Sequence, residues 1–311
     1  MSKTVKNYLS LVKFSHTIFA MPFALIGFAL GVSKPFNSTL NLNKTIGWRY
    51  ENYSIITLSH HHIITFALVL ICMISARSAA MAFNRYLDRS FDAKNPRTAI
   101  REIPAGVISA KNALIFTILC CLAFVVSCYF INTKVLMLSP IALFVILFYS
   151  YTKRFTALCH LVLGLGLSLA PLGAYLAVTA TFNLLPILFS FIVLFWVSGF
   201  DIIYALQDEA FDKENKLHSI PSMLGKAKAL RVSELLHLIS AAIVIFIGIN
   251  YHFHLFFWIG SVVFVGMLIY QHSIVKPTDL SKVNIAFMTA NGIASIVFAA
   301  FVILDLLINN Q

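Results

Sequence analysis

Hydrophobic runs of roughly 18–23 residues recur along the chain, parted by polar stretches that hold most of its charge. A run of that length crosses about 30 Å of hydrocarbon as a helix. The runs predict spans near 14–33, 63–83, 111–131, 135–151, 157–179, 184–204, 232–250, 253–271 and 285–308. A transmembrane barrel would instead show segments of about ten residues with alternating polarity, and this pattern is absent. The fold class is therefore all-α: a polytopic membrane protein with about nine transmembrane helices. The first run follows Lys3, Lys6 and Lys13, as in a signal peptide. It is too long for a signal's apolar core and no small-x-small cleavage site follows, so it counts as a span. Asn95-Pro96 should end a helical extension of the second span, because proline disfavours helix in the residue before it. Pro104 and Gly106, and later Ser219, Pro221 and Gly225, punctuate the two longest loops on one side.

Composition agrees. Hydrophobic residues make up 59% of the chain and charged ones 11%, whereas a soluble domain carries about 25% charged. Mean hydropathy is +0.87. We read residues 1–311 as one membrane domain, with segment 34–62 as an insertion on the outer side. The net charge of +11 raises nucleic acid as a partner, but the distribution of the cations points instead to the positive-inside rule. Eighteen of the 23 basic residues fall on the side of the N-terminus and the loops after spans 2, 4, 6 and 8. Lys34, Lys44, Arg49 and Lys134 lie on the other side, and Arg77 lies within a span. The first side is thus expected to be cytoplasmic, and no nucleic-acid partner is expected. Cys72, Cys120, Cys121, Cys128 and Cys159 sit in apolar runs without a CxxC pair and read as small buried hydrophobes. Asn37-Ser38-Thr39 and Asn52-Tyr53-Ser54 are formal sequons on the outer side, where His60-His61-His62 reads as interfacial.

Two polar patterns stand out against this background. At about 100° per residue, Arg77, Asn84, Asp88 and Asp92, spaced 7, 4 and 4, form one stripe. Asp201, Asp208 and Asp212, spaced 7 and 4, form a second. Carboxylates are costly near lipid, so both stripes should face the bundle interior. Both lie at cytoplasmic ends of spans. Magnesium takes oxygen ligands, keeps waters, and binds through one or two carboxylates plus substrate phosphates. Two opposed carboxylate clusters suit several such ions around one diphosphate, with Asn84 adding an amide oxygen. Cations for the same anion are at hand in Arg77 and in Tyr149-Ser150-Tyr151-Thr152-Lys153-Arg154, where Tyr149 and Lys153 share a helix face. A lone DxxxD is more often solvated or salt-bridged, and Lys153-Arg154 alone more often anchors a helix end. The pairing of the two motifs on one face of the membrane favours metal and phosphate.

At these residues the chain resembles the UbiA superfamily of intramembrane prenyltransferases. The family's NxxxDxxxD falls on Asn84, Asp88 and Asp92, and its YxxxDxxxD on Tyr204, Asp208 and Asp212. Phe14 to Ala24, Asn95-Pro96-Arg97-Thr98 and Leu217-His218-Ser219-Ile220-Pro221 resemble the family too. The resemblance implies helices around a central cavity with a cytoplasmic cap, in a bacterial inner membrane. It implies a Mg²⁺-dependent transfer of a polyprenyl group from polyprenyl diphosphate to an aromatic acid, such as 4-hydroxybenzoate, for quinone synthesis. Asp88, Asp92, Asp208 and Asp212 would be the catalytic metal-binding residues, with Asn84. Arg77, Tyr149, Lys153, Arg154, Tyr204 and Asp201 would contact the diphosphate or the acceptor. The 28 Phe residues could line a tunnel for the isoprenoid tail and shield a carbocation.

The acceptor stays open between two classes. The 4-hydroxybenzoate branch commonly has Arg-Pro where this chain reads Arg101-Glu102-Ile103-Pro104. Gln207-Asp208-Glu209-Ala210-Phe211-Asp212 looks more like a subgroup linked to menaquinone, with a hydroxynaphthoate-type acceptor. A transporter is the rival of a different class, but it would set ionisable residues near the midplane beside broken helices. Here the acids cluster at helix ends, with Asp201 deepest and Asp305 near the outer end of the last span.

Overall fold

The computed structural model describes residues 3–12, 20–33 and 60–308. The helices are α1 (Lys3–Leu11), α2 (Met21–Val32), α3 (His60–Leu87), α4 (Arg89–Lys94), α5 (Ala110–Ile131) and α6 (Thr133–Thr152). There follow α7 (Cys159–Thr179), α8 (Leu184–Ala205), α9 (Glu209–Glu214), α10 (Ile220–Leu224), α11 (Lys226–Asn250), α12 (Leu255–Ile274) and α13 (Asn291–Ile308). Among the described residues, eight helical stretches are long and apolar enough to span a membrane, and α2 is a shorter apolar helix. The expected first span 14–33 is thus described only from Ala20 onward, and most of segment 34–62, with its two sequons, lies outside the described residues. The other eight expected spans coincide with helices, which run further at several ends; α11 starts at Lys226 rather than 232. Propensity and polar termini blur ends that hydrophobicity alone was asked to find.

The core is aromatic. Phe23, Trp196, Phe264 and Phe298 are fully buried, and their ring centroids lie 5.0–6.4 Å apart. The outward faces of α5 and α6 expose Leu119, Phe130, Met137 and Phe144, as suits helices whose solvent is lipid. The Trp196 indole N–H donates to Asn291 Oδ1 at 2.9 Å, and Gln271 donates to the same oxygen at 2.8 Å. Asn291 in turn donates to the carbonyls of Ala286 and Phe287. Those carbonyls belong to a π-helical stretch, Ile285–Ala290, that precedes α13. Such wide turns free backbone acceptors, and here a buried amide satisfies them. Asp305, another acid the sequence left unexplained, accepts from the His254 and Phe257 N–H groups at 3.0 and 3.2 Å. It therefore caps the N-terminus of α12 from α13.

Close helix approach rests on small residues. A Cβ on Gly27 of α2 would meet the Pro171 carbonyl of α7 at 2.0 Å. A Cβ on Gly164 of α7 would meet Leu194 O and Ser198 Oγ of α8 at 2.4 Å. Small-residue contacts of this kind let membrane helices pack through their backbones. Gly164→Val is expected to destabilise the protein by about 1–3 kcal/mol through overpacking. Gly266→Ala, with nothing within 4 Å of its Cβ, should change stability by less than about 0.5 kcal/mol. Thermal unfolding of both variants in detergent checks the contrast.

Candidate functional site

Both acidic motifs sit where a long helix gives way to a short one. The uninterrupted polar stripes expected from the sequence are corrected here: α3 ends at Leu87 and α8 at Ala205. Asp88 stands at the junction of α3 and α4 with φ −88° and ψ 7°. Asp208 stands before α9 with φ −101° and ψ 2°, after a 3-10 turn over Leu206–Asp208. These are bridge-region conformations, between helix and extended chain. Neither carboxylate caps the short helix that follows it. The backbone still carries Asp88 N–H to Asn84 O at 2.9 Å and Asp92 N–H to Asp88 O at 2.7 Å. The four-residue spacing therefore survives the break, and Arg77, Asn84, Asp88, Asp92, Asp201, Asp208 and Asp212 all line one cavity of about 260 Å³.

Each motif carboxylate has its own cation. Arg97 grips Asp208 through two bonds, Nη2 to Oδ2 and Nε to Oδ1, the latter 3.0 Å long. Arg101 Nη1 lies 2.6 Å from Asp92, Lys153 Nζ 2.8 Å from Asp212, and Arg154 Nη2 3.4 Å from Asp88. Amides and hydroxyls fill in around them. Asn84 donates to Asp88 at 3.0 Å, Asn95 to Asp208 at 3.2 Å and Ser219 to Asp212 at 2.9 Å. Arg97 Nη1 also donates to the Tyr204 hydroxyl at 3.0 Å. Burial first, and then the charge of Asp92, pushes the Asp88 carboxyl above the usual carboxylate range, against the pull of Arg154. Burial works to lower the Lys153 ammonium, but the Asp212 carboxylate outweighs it and holds the group above its ordinary value.

Deeper in the cavity lie Arg77, Tyr149, Asp201 and His160. Asp201 Oδ2 is 2.7 Å from His160 Nδ1. Arg77 Nε and Ser150 Oγ are buried without a hydrogen-bond partner, as is Asp92 Oδ2 nearer the mouth. Phe91, Phe200, Tyr204, Phe211 and Phe287 give the wall its aromatic faces. Tyr204 and Phe287 lie 4.2 Å apart between ring centroids, Phe287 being held out by the π-helical stretch. A second, apolar cavity of about 320 Å³ runs between α3, α5, α6 and α7. It shares Arg77, Met81, Tyr149, Leu163 and Leu167 with the first, so the two lie side by side across these residues. A charged chamber thus adjoins an apolar one.

The donor set suits magnesium with phosphate, and not a closed metal cage. Among the described residues, no three His, Cys, Asp or Glu side chains converge as a ready-made ligand group. Magnesium characteristically takes one or two carboxylates and completes its shell with phosphate oxygens and water. Asp92 Oδ2 is buried without a hydrogen-bond partner, which leaves one carboxylate oxygen available as a ligand. Asn84, Asp88, Asp92, Asp208 and Asp212 are the residues that could hold the ions.

Every site residue expected from the sequence lines this chamber: the seven stripe residues, Tyr149, Lys153, Arg154 and Tyr204. What sequence reasoning missed are Arg97, Arg101, Asn95, Ser219 and His160. Arg97 and Arg101 carried a usable signal, being four residues apart and directly after the first motif. His160 carried none, because its partner is 41 residues away.

The UbiA prenyltransferase family profile matches residues 53–296. The chain is 29% identical over 245 residues to the 4-hydroxybenzoate octaprenyltransferase of Francisella tularensis subsp. novicida, spanning 78% of this chain and 84% of that one. It is 31% identical over 234 residues to the enzyme of the same name from Nitrosomonas europaea, spanning 74% and 78%. The apo structure of a UbiA homolog from Aeropyrum pernix K1 superposes with a TM-score of 0.77 at 28% identity, over 93% of this chain and 98% of that one. A UbiA homolog from Archaeoglobus fulgidus, solved bound to GPP and Mg²⁺, shares the fold with a TM-score of 0.70 at 19% identity, over 96% and 99%. Paired carboxylate motifs, the bundle that holds them and the match along most of its length agree, and the chain belongs to the UbiA prenyltransferase family.

Proposed function

We propose that the protein transfers a polyprenyl group from a polyprenyl diphosphate to the ring of an aromatic acid such as 4-hydroxybenzoate, in respiratory quinone synthesis. The observation that carries this reading is the junction at Arg77 and Tyr149, where a chamber of four ion-paired carboxylates meets an apolar tunnel. A molecule with a diphosphate head and an isoprenoid tail has those two halves in that order. The names of the Francisella and Nitrosomonas relatives supply the class of acceptor. The positive-inside asymmetry supports a chamber on the cytoplasmic face, and the bacterial relatives support an inner membrane as its setting.

The protein's part in the reaction follows from charge. The two aspartate motifs would hold Mg²⁺, which when bound would supply positive charge to the leaving diphosphate. Arg97, Arg101, Lys153 and Arg154, each already beside a motif aspartate, present cations to the remaining phosphate oxygens. Tyr149 and Arg77, which line both cavities, contact the diphosphate or the acceptor. The faces of Tyr204, Phe200 and Phe287 stabilise positive charge on the allylic carbon by cation–π attraction and keep water out. Asp201, at the chamber's deep end, serves the acceptor half of the reaction.

Asp88→Ala or Asp208→Ala should lower turnover by at least about a thousandfold, while gel filtration in detergent stays that of the wild type. Chelation should stop the wild-type reaction and Mg²⁺ restore it; the assay pairs prenyl diphosphates with 4-hydroxybenzoate and with hydroxynaphthoates, read by mass spectrometry. Full activity of either variant removes the metal assignment. Gly173 lines the tunnel and has open space at its Cβ. Gly173→Trp should therefore cut the ratio of long-chain to short-chain donor turnover by about tenfold or more. An unchanged ratio would place the tail elsewhere.

A further inference from the structure

His160 occupies the first turn of α7 and is 2% exposed. Both ring nitrogens are engaged. Nδ1 lies 2.7 Å from Asp201 Oδ2, and the backbone N–H of Ile220 points at Nε2 from 3.4 Å. A carboxylate only accepts and a backbone N–H only donates, so these partners favour a proton on Nδ1, facing Asp201. Asp201 Oδ1 has no hydrogen bond among the described residues, and the carboxylate side chain keeps 23% of its surface exposed where it lines the chamber.

The segment that supplies the Ile220 N–H is itself tied to the diphosphate clamp. His218 N–H donates to the Lys153 carbonyl at 2.7 Å, and Ser219 Oγ to Asp212 at 2.9 Å. Lys153 and Asp212 form an ion pair 2.8 Å long. One short strap, His218–Ile220, therefore touches the second motif, the clamp lysine and the imidazole that holds Asp201.

We propose that His160 is a positioning residue for the acceptor half of the reaction, fixing Asp201 so that its free oxygen takes the proton released from the aromatic ring. This rests on the function proposed above. The bonds balance as follows. The ring carbon beside the hydroxyl bonds to the donor's first carbon, whose bond to the diphosphate oxygen breaks, and the diphosphate leaves with the electron pair. The ring C–H bond then breaks, its electrons restore aromaticity, and the proton passes to Asp201 Oδ1. His160 touches neither substrate. Its Nδ1–H stabilises and aims the carboxylate, as an orienting partner does in other acid–base pairs. Through Ile220, the alignment also depends on the strap being seated on the clamp.

A buried histidine can also serve only to hold two segments together, and the experiment separates the two roles. His160→Ala, His160→Asn and Asp201→Asn are assayed with 4-hydroxybenzoate carrying hydrogen or deuterium beside the hydroxyl. Loss of the imidazole should cost kcat about tenfold or more, leave KM for the donor unchanged, and produce a larger primary isotope effect than in the wild type, because proton removal becomes slower. His160→Asn, whose side-chain N–H can still reach Asp201, should recover most of the lost kcat. Asp201→Asn should lose about a hundredfold or more and show no rescue by His160. A fall in kcat with the wild-type isotope effect, or an Asn variant no better than Ala, overturns the proposal. Where the Ala variant fails to fold, the isotope effects of His160→Asn and Asp201→Asn decide, and wild-type values in both overturn it. Wild-type protein inactive on every aromatic acid removes the proposed function, and the inference with it; an active wild type whose variants fail these tests removes the inference alone.

Discussion

Four carboxylates inside a membrane bundle must be compensated, and most of the site's architecture answers that requirement. An unpaired buried charge costs several kcal/mol, more than most single packing contacts return. The chain meets the cost locally, giving Asp88, Asp92, Asp208 and Asp212 one cation each. None of these pairs lies within a single helical turn: the partners are 9 to 111 residues apart. They therefore require the α3–α4 junction, the end of α6 and the α8–α9 junction to meet at one end of the bundle. In the same stroke they create a site with a surplus of movable charge. Cations that balance carboxylates in the ligand-free protein are the cations a diphosphate would recruit.

The helix breaks serve this requirement. An uninterrupted helix would carry its aspartates straight on past the bundle end. The bridge-region turns at Asp88 and Asp208 instead redirect the chain while keeping the four-residue spacing. The two halves of the site repeat the device: a long span, an aspartate at the break, a short helix, and a second aspartate one turn on. Each short helix ends near a polar anchor that reaches back, Asn95 to Asp208 in one half and Ser219 to Asp212 in the other. The first anchor crosses between the halves, which is why the two motifs behave as one clamp.

The apolar part of the molecule follows a different logic. Lipid provides little hydrophobic force between helices, so contact depends on shape and on buried polar links. Gly27 and Gly164 supply close backbone approach, and the Trp196–Asn291–Gln271 network supplies the polar link. That network includes no clamp residue, yet it stabilises the π-helical stretch that places Phe287 against Tyr204. Core packing and the shape of the chamber are therefore coupled.

Long apolar runs, the cation asymmetry and the spacing of acids determined the fold class, the number of long spans to within one, and the stripe residues that line the chamber. They did so because each signal is local: hydrophobic length and helical phase are read within a few turns. What lies across the bundle was not legible in this way. Arg97 meets Asp208, and His160 meets Asp201, only once α4, α7 and α8 are brought together, and nothing within a turn of His160 points to Asp201. The breaks at Asp88 and Asp208 were likewise invisible, since a four-residue spacing looks the same in a continuous helix and across a turn that preserves the i to i−4 bond. The sequence by itself determined which charges the membrane must enclose. Only the tertiary structure decided which opposite charge meets each one, because ion pairing depends on distances in space that the chain's order does not contain.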